Sequence, residues 1–184
     1  QGAPFEVLLA GDDVRPHQAV MAGLGVEESV FTYAIGALAL YSTTLELTDG
    51  PAVLQQDGIG KIAIADPETA PYGRAAMEAL SALGLLDQVM PRLVTGENIS
   101  QTLQFIETGN AGLGFVAASQ VLYRVNVWLV PDDLHAPIRQ DAVLLVTGAD
   151  NPAALAFMQF LGGKTARQVI EAAGYRAMSG TRDG

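Results

Sequence analysis

KIAIADPETAPYGRAAMEAL, Lys61 to Leu80, decides how this chain is read. Lys61 to Ala65 is short and almost continuously apolar, the pattern of a strand covered on both faces. From Arg74 to Leu83 the period changes, and Ala76, Met77, Leu80 and Leu83 fall on one face of a helix. Between the two lies ADPETAPYGR, Ala65 to Arg74, with two prolines, a glycine and almost no reactive side chain. Pro71 fixes its own φ and turns Ala70 away from helical geometry, which predicts a helix starting near Tyr72 or Gly73. Gly73 is expected to let the backbone approach a ligand closely. Strand, stiffened loop and helix together are the repeating unit of an α/β fold.

The same alternation runs outward in both directions. FEVLL (Phe5 to Leu9), IGALALY (Ile35 to Tyr41), AGLGFV (Ala111 to Val116), NVWLV (Asn126 to Val130) and DAVLLV (Asp141 to Val146) read as further strands. Helical spacing recurs over Ser100 to Glu107, Pro152 to Leu161 and Thr165 to Ala173. Asn151 before Pro152 predicts a helix cap with proline in the first turn, and Gly174 predicts a stop. Thr43 to Gly60 reads as loop with one short helix near Val53, Leu54 and Gln55. No repeat interrupts the pattern, so an α/β fold with mainly parallel strands is expected.

Composition removes several function classes. The 184 residues suffice for one substantial core or two small lobes. Acidic residues number 20 against 10 basic ones, and the basic residues are scattered, so nucleic acid and anionic membrane are not expected partners. There is no cysteine, hence no disulfide, thiolate nucleophile or thiolate metal site. No apolar run is long enough to span a bilayer.

The motifs of bond-making chemistry are missing too. GGKT, Gly162 to Thr165, resembles the end of a phosphate loop, but Met158 stands where the first glycine is required, and the turn follows a helix; it reads as a helix-to-helix turn. His17 and His135 are isolated, so no metal site is assigned. The pairs Asp12 with Asp13, Glu27 with Glu28, and Asp132 with Asp133 read as solvated surface. NIS, Asn98 to Ser100, is a chance glycosylation tripeptide. No catalytic residue is assigned, and an enzyme is not expected.

What remains is the backbone. A helix that starts directly after a strand offers first-turn N–H groups and the positive end of its dipole to an anion, with no charged side chain. Two segments have this form: the loop from Ala65 to Arg74, and TGENIS, Thr95 to Ser100.

Several motifs, in order along nearly the whole chain, carry a resemblance. GAPFEVLLAGD (Gly2 to Asp12), FTYAIG (Phe31 to Gly36), ADPETAPYG (Ala65 to Gly73), GENI (Gly96 to Ile99), ETGNAGLGFVAASQV (Glu107 to Val121) and PIRQDAVLL (Pro137 to Leu145) resemble the periplasmic molybdate-binding protein family. The resemblance implies a type II periplasmic binding protein fold, two α/β lobes joined by crossing strands. It implies capture of molybdate or tungstate between the lobes by neutral donors, for delivery to the membrane subunit of an ABC transporter. No cofactor is implied, and molybdenum enters as the oxyanion alone.

Carried over by motif, it implies that Tyr72 and Ile99 each hold the ligand through the backbone N–H. Some members place a tyrosine after the G-x-V strand; Ala117 stands there in this chain, so that contact is not implied. Residues 33–137 correspond to a nearly whole second lobe, while 1–32 and 138–184 correspond to the remainder of a first lobe. The family's opening β-α-β piece, with two hydroxyl-bearing ligand positions, is not in this sequence, so the first lobe is expected to be incomplete and the chain truncated. A homodimer or higher assembly with exchanged elements is therefore expected. The alternatives are a non-transport remnant of the fold acting through oligomerisation, and a binder of another tetrahedral oxyanion such as sulfate or phosphate. The implied location is periplasmic.

Overall fold

A computed structural model of the chain describes residues 4–56 and 58–176. In chain order the elements are β1 (Val7–Leu9), α1 (Val14–Met21), β2 (Phe31–Gly36), β3 (Leu38–Tyr41), α2 (Gly50–Val53), β4 (Ile62–Ala65), α3 (Pro71–Ala82), α4 (Leu86–Val89), β5 (Leu93–Gly96), α5 (Ile99–Glu107), β6 (Leu113–Ala117), β7 (Val127–Leu129), β8 (Ile138–Leu144), α6 (Pro152–Leu161) and α7 (Lys164–Ala172). Two units result, Ala37–Ile138 and Gln1–Gly36 with Arg139–Gly184.

The unit of Ala37–Ile138 is built on a five-stranded sheet of order β5-β4-β6-β3-β7. Side chains alternate across it as the pleat requires. Leu38, Leu40, Ile62, Ile64, Leu113 and Phe115 project to one face, where Tyr72, Ala75, Ala76, Ala79 and Leu80 of α3 cover them. Ala39, Tyr41, Ala63 and Val116 project to the other, under Ile106 of α5. Small residues on this second face let α5 lie close to the sheet. Both faces are closed, and each large side chain so buried contributes about 1.5–3 kcal/mol.

The strand directions differ from the sequence-based expectation. β4 is parallel to β5 and to β6, but β3 is antiparallel to both β6 and β7. The sheet is mixed rather than mainly parallel, because β3 arrives from the other unit instead of through a helical crossover.

The unit of Gln1–Gly36 with Arg139–Gly184 carries a three-stranded sheet of order β1-β8-β2, with β1 antiparallel to β8 in the register Val7↔Leu144 and Leu9↔Ala142. Its core is small: Ala142, Leu144, Ala154 and Met158, with Val7, Val26, Phe31, Tyr33 and Leu161 against them. α6 starts as its sequence predicts, with the Asn151 carboxamide oxygen accepting from the Ala153 N–H at 2.9 Å and Pro152 opening the helix. Gly162 and Gly163 then form the turn into α7, so GGKT is a helix-to-helix turn.

Three expectations change. IGALALY is not one strand: the chain changes sheet at Ala37, with β2 in one sheet and β3 in the other. DAVLLV gives way to β8, which begins earlier at Ile138. Asp12 is buried, not solvated; it accepts from the Arg15 N–H and pairs with the Arg15 guanidinium, both at 2.8 Å, at the start of α1. No helix among the described residues is long and apolar enough to cross a membrane.

Candidate functional site

β4 and β5 lie side by side and point the same way, and their last residues, Ala65 and Gly96, are paired. One hydrogen bond carries the pairing past the strand ends, from the Asp66 N–H to the Gly96 carbonyl at 2.8 Å. From this shared edge the chain departs in opposite directions, β4 into α3 on one face and β5 into α5 on the other. Such a divergence at the carboxyl ends of parallel strands is where open α/β sheets form binding crevices. Two helix N-termini therefore converge on one sheet edge.

The first loop is held from within. The Asp66 carboxylate accepts from the Glu68 N–H at 2.9 Å and from the Thr69 hydroxyl at 3.1 Å. Its carbonyl accepts from the Thr69 and Ala70 N–H groups at 3.3 and 2.8 Å. Ala70 is extended, at φ −116° and ψ 124°, as the following proline demands, and α3 begins at Pro71. In its first turn Pro71 has no N–H, and Gly73 and Arg74 both donate to the Ala70 carbonyl. Tyr72 supplies the turn's other N–H, while its ring is buried in the core on the α3 face.

Gly73 also has a packing part that its sequence context does not reveal. A β-carbon at this position would lie 2.1 Å from the Ala65 carbonyl oxygen. The glycine lets the first turn of α3 sit against the end of β4. Gly96 has the same function in the second loop, where a β-carbon would come within 2.8 Å of the Thr102 N and Oγ1.

The second loop opens α5 with a full cap. The Asn98 side-chain oxygen accepts from the N–H groups of Ser100 and Gln101, at 3.1 and 3.0 Å, an arrangement that contributes about 1 kcal/mol. The Asn98 carbonyl accepts from Thr102, and the Gln101 side chain returns to the Glu97 N–H at 2.6 Å. Ile99, the first helical residue, is passed over: its N–H takes part in none of these bonds, and its side chain packs on the core. Asn98 is thus a capping residue, engaged by the backbone.

Ala117 is the buried last residue of β6. Among the described residues no group of three or more His, Cys, Asp or Glu side chains could hold a metal ion. The Tyr41 phenol, opposite Gly114 at the start of β6, donates to Glu107 at 3.0 Å; burial, then that bond and the Glu107 charge, raise its pKa against the opposing Arg124. Tyr33 in the other unit donates to Gln140 at 3.1 Å and is likewise raised, by burial first and then by Tyr175 and Asp141. The two loops bring helix N-termini and their dipoles to one place, an arrangement suited to holding an anion.

The sequence profile described as bacterial extracellular solute-binding protein matches residues 1–176. The molybdate-binding protein ModA of Rhodobacter capsulatus is 48% identical over 177 residues, spanning 95% of this chain and 70% of that protein. The chain belongs to the periplasmic molybdate-binding protein family. Within the family, ModA of Azotobacter vinelandii is 49% identical over 180 residues, 95% of this chain and 71% of its own. The solved periplasmic molybdate-binding protein of Azotobacter vinelandii superposes with a TM-score of 0.87 at 35% identity, over 97% of this chain and 80% of that one. The fold is that of the family's periplasmic binding proteins.

Sequence reasoning reached the two helix starts but missed Asp66, Gln101 and Gly96. The signal was there for two of them: Asp66 precedes a proline and a threonine in turn-forming order, and Gln101 stands three residues after Asn98.

Proposed function

We propose that this chain captures molybdate or tungstate for an ABC importer, with the N–H groups of Tyr72 and Ile99, in a second lobe of residues 33–137, holding the oxyanion. The observation that carries the reading is the convergence of α3 and α5 on the paired ends of β4 and β5, with the Ile99 N–H left outside a complete Asn98 cap. Relatives named for molybdate binding support the choice of ligand. A negative protein holding a dianion is consistent with such a site, because neutral donors and helix dipoles need no counter-cation. In this reading the protein is periplasmic and not an enzyme, and its partner is the importer's membrane subunit.

The test is calorimetric titration and thermal shift with molybdate, tungstate, sulfate and phosphate. A ligand of the native state raises the melting temperature, and molybdate or tungstate is expected to raise it most. Ile99→Pro removes one N–H at a helix position that tolerates proline, while Ile99→Ala keeps it. The proline variant is expected to bind at least about tenfold more weakly than the alanine variant. Equal affinities for the two would exclude Ile99 as a ligand; a larger response to sulfate or phosphate would move the assignment to that oxyanion.

A second reading, a remnant of the fold acting through self-association, is favoured by apolar side chains left uncovered around the three-stranded sheet and its helices. Phe5, Leu9, Met21, Leu24, Leu155 and Phe160 are exposed there, and β1 is an edge strand among the described residues. It calls for a dimer in light scattering at micromolar concentration and no oxyanion response.

A further inference from the structure

We propose that Asp66 is a positioning residue for the oxyanion, one whose carboxylate is tolerated beside an anion site because both its oxygens are consumed inside its own loop. The inference rests on the reading of Tyr72 and Ile99 as ligand donors and adds to it the residue that sets the relation between them.

A carboxylate on a loop leading into an anion site raises a physical difficulty. It repels the ligand, and it competes for the same N–H donors. Its bonding removes the competition, because the donors it uses lie in its own loop, and leaves only the repulsion. One carboxylate oxygen accepts from the Glu68 N–H, and the other from the Thr69 hydroxyl. Its carbonyl closes the same turn through Thr69 and Ala70, and its N–H crosses to the Gly96 carbonyl on β5. Each polar group of the residue is thereby committed. Ala70 is the residue whose carbonyl takes the N–H groups of Gly73 and Arg74, so fixing Ala70 fixes the first turn of α3 and the direction of the Tyr72 N–H. The crossing bond to Gly96 refers that direction to the strand from which the Ile99 loop departs. Asp66 is thus tied to both sides of the site.

This role depends on hydrogen bonding geometry and not on charge, and the two separate cleanly by substitution. Asn keeps an oxygen for the Glu68 N–H and can meet the Thr69 hydroxyl with its amide, while Ala keeps neither. Molybdate affinity measured by calorimetry on the whole chain is expected to fall about tenfold in Asp66→Ala and to return in Asp66→Asn to the wild-type value or tighter, since the repelling charge is gone. Amide nitrogen relaxation without ligand is expected to show residues 68–70 gaining nanosecond motion in Asp66→Ala while the second half of α3 does not change.

Thr69→Val, which removes one of the two bonds and leaves the backbone turn, is expected to show the same loss at smaller size and serves if Asp66→Ala does not fold. Equal molybdate binding by wild type, Asp66→Ala and Thr69→Val would overturn the positioning role and leave the proposed function standing. Asp66→Asn as weak as Asp66→Ala would overturn it as well, by showing that the charge matters. A wild-type chain that binds none of the oxyanions would overturn the proposed function and this role together.

Discussion

The two units of this molecule use similar residue types to opposite effect. In Ala37–Ile138 the sheet is covered on both faces, and Phe115, Leu38, Leu40, Ile62 and Leu80 are wholly buried. In the other unit α6 is the more apolar helix by sequence, yet it buries Ala154 and Met158 and leaves Leu155 and Phe160 about half exposed, at 46% and 50%. The difference lies in how many layers each sheet supports, not in hydrophobic content. A five-stranded sheet with a helix on each face encloses the side chains of its inner strands on both sides, and the exposed apolar residues of this unit, such as Tyr123, Val125 and Leu129, lie outside those strands in loops and on the edge strand β7. The three-stranded sheet has less area to offer, and its helices keep spare apolar surface.

The sharpest way to break this comparison is to truncate one apolar side chain in each unit. Phe115→Ala should cost about 3–5 kcal/mol in urea denaturation, as expected for a fully enclosed aromatic. Leu155→Gln or Phe160→Gln should change stability by no more than about 0.5 kcal/mol. Comparable losses would show that the exposed residues of α6 belong to a core after all.

Next in size is Gly73→Ala. The added carbon meets the Ala65 carbonyl, so a cost of about 1–3 kcal/mol is expected, together with weaker oxyanion binding as α3 shifts from β4. A neutral result would mean that the first turn of α3 is free to move. The uncovered surface gives a third test. If it drives self-association, Leu155→Gln with Phe160→Gln should move the particle toward monomer in light scattering, whereas exposed Tyr123 and Val125, changed to Ser in the closed unit, should not.

The smallest expected effect concerns pH and touches both units. Tyr33 and Tyr41 ionise above their ordinary 10.0 in the fold. Because the raised value favours the protonated phenol, this stability is complete below the pH at which an unfolded tyrosine ionises and is lost as pH climbs through the folded value. Urea midpoints at about pH 9 and about pH 11 should therefore differ less in Tyr41→Phe and Tyr33→Phe than in wild type. An unchanged difference would remove both phenols from the alkaline transition.

What the residues reveal in advance follows from how local each signal is. α6 and its Asn151 cap are legible because proline, cap and apolar stripe all lie within one helix. The start of α3 is legible for the same reason, since Pro71 acts on its immediate neighbour. β5 is not, because LVTG is too short and too polar to show a period, and it becomes a strand by pairing with β4. The break at Ala37 is invisible in FTYAIGALALY, where the apolar run continues while its partners change. α1 hides behind Pro16 and its polar neighbours. At the site, the helix starts can be read from sequence, but which N–H each cap consumes depends on Asn98 and Gln101 reaching back, and the burden on Gly73 comes from a strand eight residues away.

The bond from Asp66 to Gly96 also acts as a ruler. Both loops proposed to hold the oxyanion hang from one pair of strand ends, and neighbouring strands stand about 4.8 Å apart whatever their sequence. Donor spacing is then set by backbone pairing and loop length, quantities that side-chain exchange barely alters. On the proposed reading, an engineer seeking to fit a smaller or larger anion would change the number of residues between Asp66 and Pro71 before changing any side chain.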